Sequence, residues 1–115
     1  MPSNEPEYQK NYMKKHYQQN RDYYKEKAKA RNKRVRAELY AFVNRYKTYV
    51  GCKDCGYKEH AVALQLDHVR GVKTMAVSSM VTRATSLKRI KEEMRKCEVR
   101  CANCHAIVTQ KRREE

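Results

Sequence analysis

The chain has 115 residues, with 27 Lys and Arg against 13 Asp and Glu and a net charge of +14. That length allows one domain with an appendage, and the charge excess points to polyanionic partners, nucleic acid first. No stretch is apolar for long enough to span a bilayer, and the N-terminus lacks the short apolar run of a secretory signal. The expectation is a soluble intracellular protein with no membrane partner.

From Lys10 to Arg36 there are eleven basic and two acidic residues, and Val35 is the only sizeable aliphatic besides Met13. The stretch from Glu7 to Lys47 holds no Gly or Pro and is rich in helix formers, which predicts a long basic helix. Residues 1–38 therefore read as an arm. Lys14, Lys15, Arg21, Lys25, Lys29, Arg31 and Arg34 are its candidates for phosphate contacts on DNA. Tyr8, Tyr12, Tyr17, Tyr23 and Tyr24 lie among them and cannot form a core alone. A solvated helix or a disordered basic tail is the plainer alternative.

At the end of this segment Val35, Leu39, Phe42 and Tyr46 fall at i, i+4, i+7 and i+11, one face of a helix that docks on a domain spanning 39–115. In so small a domain one hydrophobic core supplies only about 3–5 kcal/mol, which gives a motive for a metal staple.

Two C-x-x-C pairs supply it: Cys52 with Cys55 in "CKDCGYK", and Cys101 with Cys104 in "CANC". Two such knuckles far apart in sequence match a closed tetrahedral zinc site, and Gly56 suits the turn after the first. Reduced, buried thiols acting as small hydrophobes are the alternative. Bound zinc would contribute roughly 10 kcal/mol or more of apparent folding energy. Cys97 continues the pattern Leu87, Ile90, Met94 in "SLKRIKEEMRKC", so it reads as a core residue of a helix capped by Ser86. A closed thiolate site has no open position for chemistry, so catalysis needs other residues.

Those residues flank two histidines. His68 ends the alternating run "AVALQLDHV", where Val62, Leu64 and Leu66 share a face, and a basic turn with Arg70 and Lys73 follows. His105 directly follows Cys104, in a stretch that reads as a basic helix carrying Lys111 and Arg112. His16 and His60 have no such surroundings.

The ordered set "C-x-x-C-G", "LQLDH" and "KCEVRCANCH-x-x-x-T" resembles the zinc-containing HNH endonucleases abundant in bacteriophages, over Gly51 to Thr109. The resemblance implies an α+β fold: a small ββα-metal domain stapled by the four-cysteine zinc site and preceded by the basic helix. It implies hydrolysis of DNA phosphodiester bonds in the cytoplasm of a host cell. His68 would be the general base, and Asp67 and His105 would bind a catalytic divalent ion, Mg²⁺, Mn²⁺ or another. Where the family's motif carries its middle Asn, this chain has Lys96. Strict strand alternation sends Asp67 and His68 to opposite faces, so a shared site needs the strand to end or twist there. The rival reading is a non-catalytic zinc module that binds DNA. Target sequence and oligomeric state, monomer or dimer, stay open.

Overall fold

Lys, Arg, Glu and Gln dominate the chain before Leu39. With no glycine to interrupt them they form helix in the computed structural model, which describes residues 6–115. The expected single helix is two: α1 (Pro6–Gln19) and α2 (Arg21–Val50). They meet at Asn20, whose side-chain amide donates to the His16 carbonyl at 2.9 Å. Such local side-chain bonds compete with helix geometry.

The chain divides into two compact units between Arg34 and Val35. In the first, no described side chain of α1 or of α2 up to Arg34 is buried. Instead, Tyr17 stacks on Tyr24 with ring centres 5.9 Å apart, and His16 Nε2 lies 2.9 Å from the Tyr24 hydroxyl.

The second unit is α+β, mostly helical, with one antiparallel two-stranded sheet. Leu39 and Val43 of α2 are buried, and Val35, Phe42 and Tyr46 pack beside them, the face that periodicity predicts. Because Val35 joins this core, the division falls before it and not after Glu38. Two short helices complete the layer: α3 (Val77–Thr82), through Val77, Met80 and Val81, and α4 (Leu87–Met94), through Ile90 and Met94. Each such side chain contributes about 1.5–3 kcal/mol on burial. Between these helices Ala84 adopts φ 53°, a left-handed conformation rare outside glycine. Ser86 caps α4 by accepting the Arg89 N–H, as its sequence position predicts.

Strand β1 (Leu64–His68) pairs with β2 (Cys97–Cys101), with Leu64 opposite Cys101, Leu66 opposite Val99 and His68 opposite Cys97. Two sequence expectations change here. Val62 is in a 3-10 turn at Ala61–Ala63 and 90% exposed, so only Leu64 and Leu66 form the apolar face. Cys97 is buried as expected, but it opens a strand instead of ending a helix. The Lys96 carbonyl accepts N–H groups from Val69 and Arg70, which draws the chain after α4 into the sheet. A second cluster of Cys52, Leu64, Val99 and Cys101 sits under this sheet, and Tyr46 and Leu66 touch both clusters. Helix α5 (Ala102–Glu114) leaves directly from β2. Among the described residues, no helix is long and apolar enough to cross a membrane.

Candidate functional site

The first cysteine pair lies in the turn that follows α2. Gly51 ends that helix at φ 76°, Cys52 N–H bonds to the Tyr57 carbonyl, and the Gly56 N–H returns to the Cys52 carbonyl, both at 2.8 Å. Lys53 N–H reaches the Val99 carbonyl at 2.8 Å and pins the turn to β2. The second pair straddles the junction of β2 and α5. Cys101 is the last residue of the strand and the N-cap of the helix, its Sγ accepting the Cys104 N–H at 3.4 Å.

The geometry brings all four together: the Sγ atoms of Cys52, Cys55, Cys101 and Cys104 lie within 4.8 Å of one another. Cys55 and Cys101 are 3.7 Å apart. A tetrahedral zinc with Zn–S bonds of ~2.3 Å sets its sulfurs about 3.8 Å apart, so the four thiols can hold such an ion. Their protons agree. Burial raises the Cys52 thiol, but backbone hydrogen bonds around the knuckles draw it down to about 6. Cys104, bonded to the Cys101 thiol and crowded by Cys52 and Cys55, is pushed up to about 12. Thiolates this close repel, and full deprotonation requires a cation.

Strand alternation sorts the remaining candidates. Gln65 and Asp67 of β1 face the same side as Glu98 and Arg100 of β2, opposite Leu64, Leu66 and Val99. On that polar side Asp67, only 5% exposed, receives Arg100 at 2.6 Å and Arg112 through both oxygens at 3.1 and 3.0 Å. Burial raises the Asp67 carboxyl, but Arg112, His105 and Arg100 hold it below the usual carboxylate range. Arg100 continues to Asp54 in the first cysteine turn at 2.8 Å and to Glu98 at 2.7 Å.

His105, on α5, places Nε2 3.4 Å from Asp67 Oδ1 while Nδ1 lies 2.6 Å from Gln65 Oε1. In a neutral ring the Gln65 oxygen fixes the proton on Nδ1 and leaves Nε2 as a lone pair. Asp67 Oδ1, which faces Nε2 across 3.4 Å, also accepts from Arg112 at 3.1 Å. Asp67 and His105 are thus neighbours, with Arg100 and Arg112 also on the carboxylate. The Gln65 contact is the kind that orients a metal-binding imidazole.

His68 is on the other side of β1, where its Nε2 lies 3.0 Å from Glu93 Oε1. Alternation therefore holds to the end of the strand, and Asp67 and His68 have different partners. What joins the two sides is a cleft of about 410 Å³ lined by both His68 and His105, with Gln65, Asn44, Lys47 and Lys73 among its walls. No acidic side chain lines it, and burial lowers the Lys47 ammonium from its ordinary value. The cleft offers an anion two lysines and two imidazoles.

The expected phosphate contacts divide in two. Lys14, Lys15, Arg21, Lys25, Lys29, Arg31 and Arg34 are exposed in the first unit, and Lys111 is exposed near the end of α5. Arg112 and Arg70 instead make internal bonds, Arg112 to Asp67 and Arg70 to the Arg95 carbonyl and Glu98. Sequence reasoning passed over Glu93, Arg100, Gln65 and Lys47. Gln65 was open to discovery, since it alternates onto the face of Asp67 in the same strand. Glu93 sits one residue from the apolar stripe of α4, where a carboxylate looks solvent-facing.

No family model, no curated protein and no solved structure gives a significant match to the chain.

Proposed function

We propose that the chain is a metal-dependent DNA endonuclease of the HNH kind, with a separate structural zinc. The observation that carries this reading is the meeting of His68 and His105 at one acid-free cleft, with Asp67 Oδ1 3.4 Å from His105 Nε2. A pure binding module needs none of these three residues.

In this reading Lys47 and Lys73 attract the phosphodiester into the cleft. His68 takes a proton from the water that attacks phosphorus, a task suited to an imidazole because it exchanges protons near neutral pH. Asp67 and His105 hold a divalent ion, which when bound supplies stabilisation of charge on the phosphate and the leaving oxygen. Gln65 keeps the His105 ring turned for that task. The basic residues of the first unit add phosphate contacts away from the reacting bond.

A second reading, a non-catalytic zinc module that binds DNA, rests on the two guanidinium groups that occupy Asp67. Supercoiled plasmid incubated with the protein and Mg²⁺ or Mn²⁺, beside an EDTA control, separates the two. Nicked or linear product that depends on the added ion supports the nuclease. Intact plasmid in a gel that shows retarded complexes supports the binding module.

A further inference from the structure

Glu93 is 3% exposed, and carboxylates are almost never so buried without partners. Both of its oxygens are in use. Oε1 lies 3.0 Å from His68 Nε2 and accepts the backbone N–H of Thr74 at 3.0 Å. Oε2 accepts Lys96 Nζ at 2.9 Å. The same ammonium reaches the Val72 carbonyl at 2.7 Å and Thr74 Oγ1 at 3.2 Å. One carboxylate thus holds the ring at the end of β1 and, through Lys96, the loop that follows it.

Building on the nuclease reading, we propose that Glu93 is the positioning residue for His68, fixing the proton on Nε2 so that Nδ1 carries the lone pair that accepts a proton from water. An ionised carboxylate only accepts hydrogen bonds, and a neutral imidazole has one donor nitrogen and one acceptor. The nitrogen facing Glu93 must therefore bear the proton. Lys96 completes the device. Burial opposes ionisation of Glu93, but Lys96, the Thr74 N–H and His68 together bring its carboxyl down to about 2. Glu93 accordingly orients the ring without taking the proton itself. Lys96 stands where the resembling nucleases carry an Asn, and its task here is to hold both the carboxylate and the loop.

The test is ¹⁵N NMR of the His68 ring in the zinc-loaded protein at about pH 8, above the ordinary imidazole range. The expected tautomer is Nε2–H with Nδ1 unprotonated. Glu93→Gln keeps an acceptor oxygen and is expected to preserve that tautomer. Glu93→Ala is expected to give a mixture of the two. With plasmid, Glu93→Ala should lower kcat by about ten- to a hundredfold with KM unchanged, whereas Glu93→Gln, which keeps the tautomer, should lose far less. Protonation at Nδ1 in the unaltered protein overturns the proposal, as does an unchanged Nε2–H tautomer in folded Glu93→Ala. If Glu93→Ala fails to fold, the unaltered protein and Glu93→Gln still decide. The tautomer is read without turnover. Failure of the nuclease reading, seen as no cleavage by the unaltered protein, is therefore distinct from failure of the Glu93 proposal, seen as the wrong nitrogen protonated.

Discussion

Ala84 holds φ 53° between α3 and α4, a conformation that costs an L-residue with a Cβ about 1–2 kcal/mol. Glycine removes that strain and loses part of the gain to its freer unfolded chain, so Ala84→Gly should stabilise by about 0.5–1 kcal/mol. Urea denaturation checks it, and a lower midpoint with unchanged slope would show that the strain is absent. At Glu93 the expectation concerns pH. Its carboxyl lies at about 2 in the folded chain against an ordinary 4.5, so its bonds to Lys96 and His68 stabilise fully above 4.5 and are lost as pH falls toward 2. Asp67 and Glu98, also held low by their arginine and lysine partners, act in the same direction. Glu93→Gln should therefore flatten the acid limb of the stability curve between those values without abolishing it. Superimposable limbs would mean that the carboxylate gains nothing from its partners. His68→Ala should abolish plasmid cleavage while leaving DNA affinity nearly unchanged, since a general base acts in the transition state. Full nicking by that variant, in protein free of contaminating nuclease, sinks the mechanism.

At the scale of elements, Cys101 at the β2–α5 junction is both the helix cap and a member of the four-thiol cluster that can hold a metal ion. Serine is an excellent cap but a poor zinc ligand, so Cys101→Ser leaves the cap and removes the staple. The expected outcome is loss of about one Zn²⁺ per chain together with cooperative melting of the second unit; Cys52→Ser should do the same. Mild EDTA should instead stop cleavage with the fold intact. A full zinc complement and a normal melt in Cys52→Ser would remove the four-thiolate assignment. The elements also mark what the sequence could disclose. The knuckles and the α2 face were legible because fixed short spacing and helical period are local signals. Helix α3 was not, because six residues with Val77, Met80 and Val81 inward give too little period to read. Val62 misled for a related reason. Alternation continues through "AVALQLDHV", but the backbone before Leu64 is a 3-10 turn that ignores it. Asp67 and His105 could be named from the motif, whereas Arg100 and Glu93 matter only through partners far away in sequence.

At the scale of the molecule, the first unit carries ten Lys and Arg against four Asp and Glu, a net +6, and the second holds every proposed ligand. A chain beginning at Val35 should keep zinc and fold, yet bind duplex DNA more weakly at moderate salt. For every phosphate that the missing residues would have neutralised, the slope of log K against log salt should become shallower by about 0.9. Turnover at saturating DNA should change far less. An unchanged slope would assign the footprint to the second unit alone. Within that unit, Arg100 bonds at once to Asp54, inside the first cysteine turn, and to Asp67. Because zinc is expected to hold this unit folded, Asp67 and His105 come together only in the zinc-loaded state. The loading of the zinc and of the proposed catalytic ion should therefore be thermodynamically linked, each raising the affinity for the other by the same factor. Mn²⁺ titrations followed by electron paramagnetic resonance, on zinc-replete and zinc-depleted protein, would read that factor directly. On the nuclease reading a newly made chain still short of zinc is unarmed, and the supply of one metal sets when the other can be used.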